Sequence, residues 1–283
     1  GVVDGGLGKG HEAPADLFQE SLETSRTDAQ LAGGLEAERG LGPNAILWAP
    51  MQPWILLASA KIPGDGEELT LHQRGTEFLI KVDGSLLMNS LTHASEASLA
   101  EIATAKIGAT RNPRLLVGGL GMGYTLSAAL KRLGPGAEVF VAELVPAVVD
   151  WNRGPLSHLA GHPLRDKRVT VLAEDVATLI RAQRGAYDAI LQDVDNGPEG
   201  LTRQANQWLY TDAGLAAAAA ALRPKGVLAF WSVKPNRGFL KRLRRAGFDA
   251  AEIPVRGRDK HRGAHPDVRT ATRLAAYSLR GGG

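Results

Sequence analysis

The feature that most constrains this chain is a glycine-dense turn, Val117-Gly118-Gly119-Leu120-Gly121-Met122-Gly123-Tyr124, set directly after the apolar run Arg114 to Gly118. An apolar run of that length reads as a buried strand. Glycines at its end permit positive φ and let a ligand approach the backbone closely. The unit then repeats along the chain. A helical stretch from about Tyr124 to Leu133 leads to an apolar run at Glu138 to Glu143, and a second helix starts near Pro146. Further apolar runs lie at Val169 to Ala173, Tyr187 to Gln192 and Gly226 to Trp231, the last preceded by a helix that Thr211 caps. A helix from Phe239 to Ala246, a strand from Ala250 to Val255 and a closing strand from Arg273 to Leu279 complete the series. Strands alternating with helices predict a parallel α/β sheet. Seven strands, the last two joined without a helix, predict a doubly wound, Rossmann-like seven-stranded sheet.

The stretch before this series has a different period. Ile55 to Ala58, Glu68 to His72 and Thr76 to Val82 alternate or run apolar, with Arg74-Gly75 and Asp83-Gly84 as turns. They predict a small antiparallel β-unit over residues 45–92. Glu96, Leu99, Ile102 and Ala103 then open a helix ending near Gly108, and the α/β domain is expected over 93–283. Residues 1–44 are rich in Gly, Ala, Glu and Asp with few large apolar side chains, and read as a flexible tail.

Bulk properties narrow the function classes. The 283 residues include no cysteine, which removes disulfides, thiolate catalysis and thiolate metal sites. Nothing approaches the roughly 18–20 apolar residues of a membrane span, and no basic start followed by an apolar run marks a signal peptide, so a cytoplasmic location and no membrane partner are expected. The formal net charge is +3. The excess lies late, in Lys241, Arg242, Arg244 and Arg245 and in a loop around 256–270. No aromatics interleave it, which argues against a nucleic-acid partner. No paired His or carboxylate spacing demands a metal.

Candidate ligand residues fall at strand ends. A nicotinamide-nucleotide loop needs G-x-G-x-x-G, and counting from Gly119 and Gly121 the third position is Tyr124. The loop is G-x-G-x-G instead (Gly119, Gly121, Gly123), the spacing of S-adenosylmethionine (AdoMet) sites. Glu143, about twenty residues on at the end of the second strand, is placed to accept both ribose hydroxyls. Asp175 follows the third strand, where it can accept from the adenine amino group or cap a helix, and Val176 can pack on the ring. Asp193 ends the fourth strand in Gln192-Asp193-Val194-Asp195-Asn196-Gly197-Pro198, where a carboxylate could hold an amine and accept its proton. Asp195 could assist, or both acids could simply form the turn.

These residues resemble the spermidine synthase family, within the class I AdoMet-dependent transferases, from about Trp54 to Leu279. Val82-Asp83-Gly84-Ser85 and the stretch Leu209-Tyr210-Thr211 to Leu228 are similar to family segments, and the small N-terminal β-unit is a family feature. The chain also departs from the pattern. Gly121 stands where the family loop has Asp, the strand-four motif is shortened so that Asp195 is displaced, and Trp231 replaces a Gln. A Tyr of the preceding helix falls near Leu215 and Ala216. The resemblance implies a homodimer and a donor that is AdoMet or decarboxylated AdoMet. The expected reaction is methyl transfer to a small-molecule or peptide nucleophile, with Asp193 as base or amine anchor. Tyr124, Asp195 and Trp231 would shape the acceptor side, and His93 would belong to the segment covering it. The alternatives are aminopropyl transfer to a diamine and a non-catalytic nucleotide-binding scaffold.

Overall fold

The computed structural model describes residues 52–64, 66–193, 204–231, 237–255 and 272–279. The expected tail, Asp195 and the basic loop at 256–270 lie outside them.

Four strands make the first sheet, in the order β1-β2-β3-β4 and antiparallel throughout: β1 (Ile55–Lys61), β2 (Glu68–Arg74), β3 (Glu77–Val82) and β4 (Ser85–Asn89). Its turns follow from their residues. Asp83 and Gly84 both take positive φ, 44° and 78°, between the paired Val82 and Ser85. That is the two-residue turn whose twist matches a hairpin. The other tight turn is Gly75-Thr76 rather than Arg74-Gly75, because Arg74 still pairs with Glu77.

Helix α1 (Ala94–Ile107) joins this sheet to a seven-stranded one of order β10-β11-β9-β8-β5-β6-β7. The strands are β5 (Arg114–Gly118), β6 (Glu138–Ala142), β7 (Val169–Leu172), β8 (Tyr187–Gln192), β9 (Leu222–Phe230), β10 (Phe248–Val255) and β11 (Thr272–Leu279). Those from β5 to β9 run parallel, and β11 returns antiparallel between β10 and β9. The helices between them are α2 (Tyr124–Arg132), α3 (Pro146–Arg153), α4 (Val176–Ala182), the short α5 (Gln204–Gln207), α6 (Asp212–Ala221) and α7 (Arg237–Arg245). Thr211 caps α6 as expected, its hydroxyl accepting from Gly214 N at 3.1 Å.

One strand begins four residues earlier than the pattern suggests. The pattern places the apolar run at Gly226 to Trp231, yet β9 starts at Leu222. Leu222 pairs with Tyr187, the register then slips, and Val227 pairs with Ala189. The intervening residues form a bulge in which Lys225 takes φ 66°. A bulge is where a strand tolerates proline. Arg223 uses it to reach Asp188 at 2.7 Å.

A single apolar cluster runs from the small sheet through α1 into one face of the large sheet, with Leu71, Leu99, Leu115 and Val117 fully buried. A second covers the other face, around Ile190, Leu215 and Phe230. Among the described residues no helix is long and apolar enough to cross a membrane.

Candidate active site

β5 sits between β6 and β8, so its carboxyl end opens at the centre of the sheet, where the strand order reverses direction. Open parallel sheets bind ligands at that point. The chain leaves β5 through Gly119 and Gly121, at φ 88° and 52°, a region that side-chain-bearing residues avoid. A Cβ on Gly118 would lie 2.6 Å from Gln192 Oε1, which leaves glycine as the residue that fits there. Asn152, from α3, holds the loop by donating from Nδ2 to Gly121 O at 2.7 Å.

Glu143 follows β6 and is buried, 8% exposed. Its Oε2 accepts from Leu120 N and its Oε1 from Val145 N, both at 2.9 Å. Burial raises its pKa, and backbone N–H groups, Val145 and Leu120 foremost, oppose that rise by favouring the charged form. Each oxygen accepts a second hydrogen bond in principle, which suits a ribose hydroxyl. Asp175 does cap α4, accepting from Ala177 N at 2.8 Å, while also facing the cavity beside Val176.

Asp193 directly follows β8, its N–H donating to Gly118 O at 2.9 Å. Thr125, in the first turn of α2, donates to Asp193 Oδ2 at 2.6 Å. Burial first and the neighbouring Glu96 second push the Asp193 carboxyl up, the Thr125 bond pulls the other way, and together they leave it at about 8. Glu96 stands in the first turn of α1 and is 7% exposed.

These groups share one cavity of about 440 Å³, within the usual size of a small-ligand site. Gly119, Gly121, Glu143, Asp175, Val176, Asp193 and Trp231 line it, and Leu69, Ile80, Val82 and Met88 of the small sheet form an apolar wall. Three other expected site residues stand back from it. Gly123 is not among the lining residues. The Tyr124 hydroxyl donates to Ser90 O at 3.2 Å, and His93 stacks on the Tyr124 ring at 4.1 Å and 17°. That pair braces the link between β4 and α1. Burial, then Glu96, raises the Tyr124 hydroxyl to about 12, so it stays protonated.

Glu96, Glu67 and Asn206 also line the cavity and were not anticipated. Glu96 did leave a signal: it occupies the same helical face as Leu99, Ile102 and Ala103, a core-facing position where an ionisable side chain needs a reason. Six carboxylates line the cavity (Glu67, Glu96, Glu143, Glu174, Asp175 and Asp193) and, among its described lining residues, no Lys, Arg or His. Among the described residues, then, the lining of this cavity is acidic in a chain of net charge +3.

No protein-family model matches the chain. Putrescine N-methyltransferase 4 of Nicotiana tabacum is 36% identical over 126 residues, 43% of this chain and 30% of that protein. Putrescine N-methyltransferase 1 of Nicotiana attenuata matches at the same identity and coverage. The matched stretch spans less than a third of the length of these relatives. Among solved structures, a spermidine synthase in complex with the transition-state analogue AdoDATO superposes with a TM-score of 0.61 at 17% identity, covering 87% of this chain and 83% of that one. The spermidine synthase of Thermotoga maritima gives the same TM-score and coverage at 16% identity. The α/β fold, with its central parallel sheet and antiparallel N-terminal sheet, is the one these structures share.

Proposed function

We propose that this chain, spermidine synthase-like in sequence and in fold, transfers a methyl group from AdoMet to the nitrogen of a small amine. The observation that carries the reading is the placement of Asp193, with its raised pKa, in the same cavity as the glycine loop, Glu143 and Asp175. The names of the tobacco relatives support the amine and the methyl group.

The cavity fits such a donor. Gly119 and Gly121 leave room for backbone approach, Glu143 offers lone pairs to the ribose, and Asp175 with Val176 would hold the adenine edge and face. The donor supplies a methyl carbon already activated by a sulfonium. The protein's own tasks are to align the nucleophile, exclude water and take a proton. Asp193 does the last: it orients the acceptor nitrogen and receives its proton as the N–C bond forms and the C–S bond breaks, leaving a neutral thioether. Thr125 bonds Oδ2, so Oδ1 is the atom for that role. A base whose pKa lies near 8 is well matched to neutral operation.

A second reading is aminopropyl transfer from decarboxylated AdoMet. The acidic cavity favours it, because that donor carries one negative charge fewer. Calorimetric titration of each donor into the purified chain, followed by turnover with putrescine, decides between them. Preference for AdoMet with methylated product supports the proposal. Preference for the decarboxylated donor replaces it with the second reading. Binding of neither leaves a non-catalytic scaffold.

A further inference from the structure

Trp231 carries a buried polar group with no task in the transfer described above. Its indole Nε1 is buried and meets no acceptor among the described residues. A buried donor left without an acceptor is costly and is the exception in folded proteins. The residue is anchored on both sides of that atom. Its backbone N–H donates to Gln192 O at 3.2 Å, and its side chain packs against the core cluster that joins α1 to the large sheet. Trp231 also lines the cavity, so a bound molecule is the available source of an acceptor.

Strand order sets which molecule that is. The glycine loop, Glu143 and Asp175 follow β5, β6 and β7, so a donor nucleotide held by them extends from β5 toward β7. Trp231 follows β9, on the opposite side of β8 and Asp193. It stands beyond the reacting centre, on the side of the acceptor. An indole N–H donates and cannot accept. An ammonium has no lone pair to offer it, and the attacking nitrogen spends its lone pair on the methyl carbon. An oxygen meets the requirement. The six carboxylates of the lining disfavour an anionic oxygen, which leaves a hydroxyl or an ether.

Resting on the transferase reading above, we propose that Trp231 is a specificity-determining residue whose Nε1–H donates to an uncharged oxygen at the end of the acceptor remote from the reacting nitrogen. The acceptor is an amino alcohol or amino ether rather than a diamine. A ligand that lacks the oxygen leaves the indole donor unpaired, which is the stronger form of discrimination open to a binding site.

The test uses the full chain saturated with S-adenosylhomocysteine and titrated calorimetrically. The ligands are 3-amino-1-propanol, 4-amino-1-butanol and 5-amino-1-pentanol, each beside the simple alkylamine and the diamine of the same carbon count. The unsubstituted chain is expected to bind at least one amino alcohol about fivefold or more tightly than both of its counterparts, the worth of one net hydrogen bond. Trp231→Phe keeps an aromatic ring and removes the N–H. It is expected to abolish that preference by weakening the amino alcohol, with S-adenosylhomocysteine affinity held within about twofold. Absence of the preference in the unsubstituted chain overturns the proposal, whether or not the variant folds. A preference that survives in Trp231→Phe overturns it too. Loss of S-adenosylhomocysteine affinity in the variant, with no preference among amines, assigns the N–H to the donor's carboxylate and also overturns it. Failure of the unsubstituted chain to bind S-adenosylhomocysteine strikes first at the transferase reading, and this proposal falls with it.

Discussion

Asp193 carries opposite consequences for activity and for stability. Its ordinary carboxyl value is 3.8, and the fold, chiefly by burial and then through Glu96, raises it to about 8. Between those values the folded chain holds a proton that the unfolded chain has lost, so this group's contribution to stability falls as pH rises from about 4 to about 8. Asp193→Asn removes the ionisable group and keeps an acceptor for Thr125. It should therefore melt higher than the unsubstituted chain at pH 9, with the difference shrinking toward pH 4, as differential scanning fluorimetry across pH would read. The same change should cut turnover by about 10²-fold or more, the usual worth of a positioned base. The acceptor kcat/KM of the unsubstituted chain should rise with pH through an inflection near 8. That inflection should be missing from the residual rate of the variant; a profile identical in both would assign the titration elsewhere. Glu143 works differently, since its oxygens also accept from the glycine loop and from the start of α3. Glu143→Ala leaves those buried N–H groups without partners, at roughly 1–3 kcal/mol each. Donor affinity and melting temperature should fall together.

Among the elements, α6 and β9 show how local preference yields to neighbours. Gly214 lies in the first turn of α6, where helix propensity favours alanine by about 1 kcal/mol. A Cβ there would lie 2.0 Å from Trp208 O, in the short helical turn Trp208–Tyr210 that abuts α6. Gly214→Ala should therefore lower stability, and a gain in chemical denaturation would show that the Trp208 turn moves aside cheaply. The bulge in β9 has the same logic. Pro224 interrupts a strand read alone, but the Arg223–Asp188 pair holds the bulged segment against β8. The helix at Gly108 and the strand starts at Arg114 and Tyr187 were legible because each rests on local pattern alone.

On the scale of the molecule, the small sheet is part of the site. Its residues share a core with α1 and the large sheet, and Met88 lies so near the glycine loop that a Cβ on Gly121 would come within 2.8 Å of its Cε. Leu99 is fully buried in that shared core, and Leu99→Ala should cost about 2–5 kcal/mol. Donor binding, felt by both sheets through one cavity, should raise the melting temperature of the chain as a single shifted transition. A ligand at about a hundred times its Kd contributes about 2.7 kcal/mol. Two transitions, of which only one moves, would mean that the small sheet melts independently of the site.

The sequence by itself determined the alternation of elements, the glycine loop and the acids at three strand ends. These depend on period, on turn chemistry and on residues close along the chain. It also carried the likeness to the spermidine synthase fold. Only the tertiary structure decided which candidates share a cavity. Tyr124 and His93 follow the right loop and the right segment, yet they stack on each other, because α1 brings His93 over the start of α2. Glu96 is 97 residues before Asp193 (193 − 96) and becomes its electrostatic neighbour because α1 packs across the end of β8. Charge acts through space, and a carboxylate on a helix face has no sequence pattern that names the carboxylate it will meet.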